Sequence, residues 1–318
     1  MNEMWTEKYR PKTLDEVVGQ KDVTTRLKGY VQSGNMSHLM FAGTPGTGKT
    51  TCALALAREL FGDNWKGNFL ELNASDDRGI EVVRGKIKDF ARVAPLEGAS
   101  FKIIFLDESD SLTTDAQGAL RRTMEKYSRT CRFILSCNYA SKIIAPIQSR
   151  CALFVFRPLQ DADVREFLEK IVKEEGLEVD SDAMDTLVYI SRGDMRRAVN
   201  TLQTAASMGS RIDAEIISKV SGSANEADIT EIVTSALDGK FVDARNKMDT
   251  VMIEYGLSGQ EIIKQIHGSV LKLPLEMRDK VRLIDRIGEI EFRLIEGSNE
   301  RIQLVALLAY LVMAGGKA

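Results

Sequence analysis

The chain has little of what marks several protein classes. Its 318 residues include only four cysteines and no C-x-x-C pair, which excludes a disulfide scaffold and argues against a structural zinc site. The most apolar stretch, 304–316, is shorter than the about 20 residues that a membrane span needs. The charged first residues carry no secretory signal, so we expect a cytoplasmic protein with reduced thiols and no membrane partner.

Excess positive charge is also lacking, since the net charge is −3 and the isoelectric point is about 5.7. An acidic average argues against a nucleic-acid-binding domain, whose isoelectric point is often above about 9. The composition, 44% hydrophobic and 28% charged, excludes a disordered chain.

Proline is scarce after residue 158, where only Pro274 remains of the six. Before that point, five short apolar runs alternate with helical patterns at 49–61, 79–94, 113–127 and 141–148. The runs are 38–42, 69–72, 101–106, 132–136 and 152–156. This alternation predicts a parallel sheet covered by helices on both faces. The rest of the chain is predicted to be helical throughout, with helices at 161–176, 181–191, 194–208, within 209–224, from 225, and at 240–255, 258–272, 276–296 and 299–314.

The first predicted strand runs into Gly43-Thr44-Pro45-Gly46-Thr47-Gly48-Lys49-Thr50, which fits the phosphate-loop pattern G-x-x-x-x-G-K-[ST]. Glycines let backbone N–H groups point at phosphate oxygens, and the following helix adds positive potential at its N-terminus. We expect Lys49 to reach the β- and γ-phosphates of ATP and the Thr50 hydroxyl to bind Mg²⁺. A chance glycine-rich turn is the alternative.

A phosphate loop predicts a second strand that ends in a metal-holding acid, and Asp107-Glu108 follows the run 101–106. Asp107 would hold Mg²⁺ through its water shell, and Glu108 would polarise the attacking water as a general base. Two solvated acids at a strand end are the alternative. Asn138, after the next strand, is suited to hold that water, although asparagine also caps helices and turns.

Arginines offer further candidates. Arg150 precedes the last strand and suits a finger that reaches a neighbouring subunit's phosphate, with a surface salt bridge as the alternative. Arg196 opens a helix and would fold back onto the nucleotide, but Arg192 and Arg197 lie beside it and spacing does not choose among them.

Two helices carry basic residues. Arg84, Lys88 and Arg92 fall at i, i+4 and i+8, a stripe that can follow phosphates or simply face solvent with local ion pairs. The helix 113–127 carries Arg121 and Arg122 with a weaker stripe.

Taken together, the motifs resemble those of the replication factor C small subunits, AAA+ ATPases of the archaeal-type clamp loader. The resemblance follows the same order along nearly the whole chain. It rests on 5–11 (WTEKYRP), 14–19 (LDEVVG), the phosphate loop, 73–76 (NASD), 106–113 (LDESDSLT), 120–125 (LRRTME), 149–151 (SRC) and 193–196 (GDMR). Thr6, Thr44 and Ser109 depart from the usual residues, and none of them removes a catalytic group.

The resemblance implies three domains: an α/β nucleotide-binding domain at 1–158, a helical lid at 159–224 and an all-α collar at 225–318. It implies that Asn138 and Arg196 sense the nucleotide and that Arg150 acts on ATP of the adjacent subunit. Thr6 and Arg10 would contact the nucleotide, with Val17 and Val18 near the adenine. The helices bearing Arg84, Lys88, Arg92 and Arg121 would face duplex DNA, and the region of Tyr127 would lie towards the clamp.

The function implied is ATP-dependent opening and loading of a sliding clamp onto primer–template DNA. The partners would be further copies of the chain and a replication factor C large subunit, in a ring that is pentameric in the family. Two rivals stay open: an AAA+ DNA-remodelling motor such as a branch-migration helicase, and a scaffold subunit that binds ATP without hydrolysing it.

Overall fold

The five predicted strands pair into one parallel sheet in the computed structural model, which describes residues 3–76, 79–96, 98–222, 226–273 and 275–315. The strands are β1 His38–Gly43, β2 Phe69–Asn73, β3 Lys102–Asp107, β4 Cys131–Cys137 and β5 Cys151–Phe156. Their order is β2-β3-β4-β1-β5. Each observed strand matches its predicted run to within a residue at either end, because buried parallel strands are apolar on both faces.

Register brings the carboxyl ends of the strands to one edge of the sheet. Asn73 is level with Asp107 across β2 and β3, and Ala42 is level with Cys137 across β1 and β4. The phosphate loop, the Asp107-Glu108 pair and Asn138 all follow these ends in the chain. Parallel strands with crossover helices therefore gather the predicted site at a single edge.

Helices cover the sheet and form most of the rest of the chain. Those before residue 150 are α1 Trp5–Lys8, α2 Lys21–Ser33, α3 Lys49–Phe61, α4 Trp65–Asn68, α5 Ile80–Val82, α6 Lys88–Arg92, α7 Thr114–Lys126 and α8 Ala145–Gln148. Those that follow are α9 Asp161–Glu175, α10 Ser181–Ser191, α11 Met195–Ala206, α12 Ala214–Ser221, α13 Glu226–Leu237, α14 Phe241–Tyr255, α15 Gly259–Ser269, α16 Met277–Ile295 and α17 Glu300–Ala314. No helix within the described ranges is long and apolar enough to cross a membrane.

The chain divides into two compact units. One comprises the described residues up to Ile171 together with Ser191–Asn200, and the other comprises Val172–Ile190 with the described residues from Thr201 onwards. The first unit has an apolar cluster on each face of its sheet, and the second has one formed by the helices α13 to α17. The domain boundaries at 158 and 224 remain predictions.

The structure differs from the sequence prediction in several places, and the short helices α1 and α4 are among the elements that were not predicted. The helix expected at 79–94 is interrupted by a π-helical turn at Val83–Ile87, and the one expected at 141–148 is a 3₁₀ turn at Ala140–Lys142 followed by α8. The later part of the chain is not helical throughout, because Glu178–Val179 pairs in parallel with Arg211–Ile212. Helix α2 was not predicted, although Val23, Leu27, Tyr30 and Val31 have helical spacing and Gly34 ends the helix in the left-handed conformation.

A partly buried histidine at the start of β1 makes the free energy of unfolding depend on pH. The Phe133 N–H donates to Nδ1 of His38 at 3.1 Å, which requires the neutral ring. Burial, and then the charge of Arg132, lower the pKa of His38 from its usual 6.5 to about 4. As the pH falls, His38 therefore takes up a proton in the unfolded chain before it does so in the folded chain. The free energy of unfolding should decrease as the pH falls from about 6.5 to about 4. His38 should account for at most about 3 kcal/mol of this decrease.

Denaturant unfolding at a series of pH values measures this effect. His38→Gln should flatten the dependence between about pH 6.5 and 4. His267→Gln, at the exposed histidine of α15, should keep the wild-type slope. Equal slopes in wild type and His38→Gln would contradict the assignment.

Candidate nucleotide site

The phosphate loop forms the turn between β1 and α3. Gly46 and Gly48 have φ of 69° and 98°, a left-handed backbone that side chains disfavour. Helix α3 begins at Lys49 with no side-chain cap, so its first N–H groups are available to an anion. The local backbone is therefore suited to hold phosphate oxygens.

Lys49 lies inside this loop. Its Nζ donates to the carbonyls of Gly43 and Thr44 at 2.7 and 2.9 Å and lies 3.4 Å from Oδ1 of Asn138. Burial lowers the pKa of Lys49, and the nearby Asp107 carboxylate opposes that shift. The ammonium group thus links the loop to Asn138, the residue predicted to follow β4.

The two acids at the end of β3 have different environments. Asp107 accepts a hydrogen bond from Thr50 Oγ1 at 3.0 Å and another from the Glu108 N–H at 2.9 Å. Glu108 is exposed and has a φ of 49°, which is uncommon outside glycine and asparagine and often marks a functional position. Asp107 is therefore held by neighbours, while the Glu108 carboxylate is open to the pocket that it lines.

A single pocket within the first unit brings most of the predicted site residues together. It is lined by Thr6, Arg10, Val17, Val18, Pro45, Gly46, Thr47, Gly48, Lys49, Thr50, Asp107, Glu108, Asn138 and Arg196. Gly43 and Thr44 do not line it and contribute the carbonyls that accept from Lys49. Of the three neighbouring arginines, only Arg196 lines the pocket. Its contact with the nucleotide remains a prediction.

Sequence reasoning missed much of the pocket wall. The additional lining residues are Trp5, Tyr9, Pro11, Thr51, Ser136, Cys137, Leu159, Phe167, Met195 and Val199. Three of them, Trp5, Tyr9 and Pro11, lie in the N-terminal segment that resembles the family, but no individual role was predicted for them from the sequence. Four others are Leu159 just before α9, Phe167 in α9, and Met195 and Val199 in α11. The lining combines apolar and aromatic side chains with charged groups, which suits a nucleotide with its flat base and its anionic phosphates.

Arg10, which lines the pocket, has a buried hydrogen-bond donor without an acceptor in the part of the chain that the structure describes. Its guanidinium forms an ion pair with Glu7, while its Nε is buried and has no hydrogen-bond partner among the described residues. A buried unpaired donor costs stability unless a ligand completes it. The arrangement fits an acceptor atom supplied by a bound molecule.

Arg150 does not line the pocket of its own chain. Its guanidinium donates to the Pro146 carbonyl at 2.6 Å and lies 2.6 Å from a carboxylate oxygen of Glu125, with 37% of the side chain exposed. The salt bridge considered as an alternative thus exists within the chain. An exposed pair of this kind contributes little to stability, and it leaves the guanidinium accessible.

The candidate DNA-binding residues lie on two helical segments. Lys88 and Arg92 are exposed on α6, and Arg121 on α7 lies 3.7 Å from Glu125. The Arg84 side chain falls outside the described residues. Contact of this group with DNA remains a prediction.

Comparisons with known proteins agree with this architecture. Family models match residues 39–159 (ATPase family associated with various cellular activities, AAA), 166–207 (RCF1/5-like, AAA+ ATPase lid domain) and 224–310 (Replication factor C C-terminal domain). The replication factor C small subunit of Archaeoglobus fulgidus is 57% identical over 97% of each chain. That of Methanocella arvoryzae is 57% identical over 99% of this chain and 98% of the relative.

Solved structures add a more distant likeness. The Thermotoga maritima RuvB Holliday junction branch migration motor has a TM-score of 0.56 and 21% identity, over 71% of this chain and 78% of that one. The likeness concerns the fold alone.

The parallel sheet, the phosphate loop, the acid pair and the residues of α11 that line the pocket are those of an AAA+ ATPase. Within this class, the family follows from the relatives that match nearly the whole chain and from the match of the C-terminal domain. The chain belongs to the family of replication factor C small subunits.

Proposed function

We propose that this chain binds and hydrolyses ATP as a small subunit of a clamp loader, which opens a sliding clamp and loads it onto primed DNA. The observation that carries the proposal is the division of the catalytic groups. Lys49, Glu108 and Asn138 meet in one pocket, whereas Arg150 lies outside it with an accessible guanidinium. Such a division is expected where active sites are completed by a neighbouring subunit.

Magnesium fits the donors at the foot of the pocket. Thr50 Oγ1 and Asp107 Oδ2 lie 3.0 Å apart, and hydroxyl and carboxylate oxygens are the ligands that Mg²⁺ prefers. Thr50 and Asp107 would hold the ion, which when bound neutralises charge on the phosphates.

The chain's own residues supply the remaining chemistry. The loop N–H groups and Lys49 bind and orient the phosphates, and Asn138, close to Lys49, positions the attacking water. Glu108 accepts the proton of that water as the water oxygen attacks the γ-phosphorus, and the bond between the γ-phosphorus and the bridging oxygen breaks to release ADP. Arg196 approaches the nucleotide from α11. Arg150 of the adjacent subunit stabilises the charge that develops on the transferred phosphoryl group.

An apolar stripe on the collar helix α16 supports assembly. Met277, Val281, Phe292 and Ile295 are each at least 59% exposed, and at about 100° per residue they lie within about 60° of one another. Leu283, Ile287, Ile290 and Leu294, on the opposite face, are buried in the collar core. An exposed stripe of this kind suits the helices of neighbouring subunits.

Replacing Phe292 with serine should weaken assembly without unfolding the collar, because the side chain is 65% exposed. We expect a loss of affinity between subunits of about 30-fold, the size of a hot-spot contact. Analytical ultracentrifugation measures it. Ile253→Ser, at a 79% exposed position on α14, is the matched control and should assemble normally. Wild-type assembly of Phe292→Ser would contradict the role of the stripe.

Partners follow from the same proposal. The chain would assemble with copies of itself and a large subunit in a pentameric ring, and Lys88, Arg92 and Arg121 would face the DNA inside it. Several copies of these few cations would then act on one duplex although each chain is acidic.

ATP hydrolysis by the assembled complex tests the proposal. We expect stimulation by clamp and primed DNA together to exceed that by either alone. ATP-driven strand displacement without a clamp would favour a branch-migration motor, whose fold is similar. Binding of ATP without single-turnover hydrolysis would favour a scaffold subunit.

A further inference from the structure

The first turn of α11 is joined directly to the phosphate loop. The Met195 N–H donates to the Gly46 carbonyl at 3.1 Å. The turn before the helix is held in the same way, because the Leu159 N–H donates to the Gly193 carbonyl at 3.1 Å. Helix α11 therefore begins at a fixed point beside the loop.

Asp194 occupies the contact between these two elements. Its Oδ1 accepts a hydrogen bond from the Arg197 N–H at 3.0 Å, which caps the helix. A Cβ atom built on Gly46 would lie only 1.7 Å from that same Oδ1, so the carboxylate packs against the Gly46 backbone. One oxygen atom thus caps α11 and touches the phosphate loop.

Arg196 lies in the turn that Asp194 caps, one residue after Met195, and it lines the nucleotide pocket. Its position relative to the loop consequently depends on two contacts at Gly46, the hydrogen bond from Met195 and the packing of Asp194. Loss of the second contact would let the first turn of α11 fray or tilt, since an uncapped first turn leaves N–H groups unsatisfied.

We propose that Asp194 is a positioning residue, which holds Arg196 at the nucleotide by coupling the first turn of α11 to the phosphate loop at Gly46. The inference rests on the proposed ATPase function of this pocket. It also explains two constraints on residue 46: the backbone φ of 69° favours glycine, and the carboxylate leaves no room for a side chain.

Steady-state ATP hydrolysis by the assembled complex tests the coupling. Asp194→Ala should lower kcat by about 10- to 100-fold, the loss expected when a group is misplaced by about 1 Å. Asp213→Ala is the matched control, because Asp213 caps α12 in the same way, accepting from the Ile216 N–H at 2.9 Å, and does not line the pocket. Both variants lose one helix cap, so a merely structural role predicts similar, small effects on kcat.

A double-mutant cycle separates positioning from general damage. If Asp194 acts through Arg196, then Asp194→Ala should cause little further loss of kcat in an Arg196→Ala background. Asp194→Asn keeps the capping oxygen and the shape of the side chain, and should stay within about threefold of the wild-type rate because asparagine caps as well as aspartate.

Three results would overturn the inference while leaving the ATPase proposal intact. They are equal rates for Asp194→Ala and Asp213→Ala, multiplication of the Asp194→Ala and Arg196→Ala effects, and an Arg196→Ala variant as active as wild type. If the wild-type complex hydrolyses no ATP, the proposed function itself fails, and the inference fails with it.

Discussion

Replacing Arg150 with alanine should lower ATP hydrolysis by the assembled complex by about 10³-fold or more, the contribution of an arginine finger. Nucleotide binding to the chain's own pocket should persist, because Arg150 does not line it. Its side chain instead rests on Glu125 and the Pro146 carbonyl, with the guanidinium accessible from outside. Arg129→Ala, at an exposed arginine that also does not line the pocket, is the control and should hydrolyse ATP normally.

Mixing two inactive variants shows whether Arg150 acts on a neighbour. Lys49→Ala destroys the pocket of its own subunit but keeps its arginine, and Arg150→Ala does the reverse. Complexes that contain both should regain activity at interfaces where an intact pocket meets an intact arginine. If mixing restores nothing while each variant still assembles, Arg150 does not act in trans.

Replacing Glu108 with glutamine should lower the hydrolysis rate by about 10²- to 10⁴-fold, the range for loss of a general base. ATP affinity should change little, because glutamine keeps the size of the side chain and the N–H that donates to Asp107. Single-turnover hydrolysis and equilibrium nucleotide binding measure the two effects separately. Asp115→Asn, at an exposed acid of the first turn of α7, should retain wild-type rates.

A Glu108→Gln variant that hydrolyses ATP within about threefold of the wild-type rate would assign the proton transfer to another group. A large loss of affinity in the same variant would instead indicate that Glu108 contributes to binding. Either result would contradict the role given to its exposed carboxylate.

The strands could be predicted because burial on both faces leaves a local mark, a short run of apolar residues. A buried strand can nevertheless contain a charged residue. Lys102 in β3 is only 2% exposed, and its Nζ donates a hydrogen bond to the Phe90 carbonyl at 2.5 Å. The π-helical turn at Val83–Ile87 and the pairing of Glu178–Val179 with Arg211–Ile212 leave no such mark. A π-helical turn depends on a shift in the backbone hydrogen bonding of a helix, which the side-chain pattern does not reveal. A strand of two residues is too short to show an alternation of apolar and polar residues.

The polar residues of the site could also be predicted from the sequence, because a known pattern places them at fixed positions at the ends of strands. They are Lys49, Thr50, Asp107 and Glu108. The apolar residues of the pocket could not be predicted. Trp5, Phe167 and Val199 are far apart in the chain, and no spacing rule connects them. Contacts between elements, such as that of Asp194 with Gly46, exist only in the folded chain. The proposed action of Arg150 concerns a second subunit, which neither the sequence nor one chain contains.

Clamp loading on primed circular DNA tests the central claim most directly. A labelled clamp should remain on the closed circle after incubation with the assembled complex and ATP, and leave when the circle is linearised. Complexes built with Lys49→Ala should leave the circle empty. Retention of the clamp without ATP, or equal retention with Lys49→Ala, would contradict the account that ATP in this pocket drives loading.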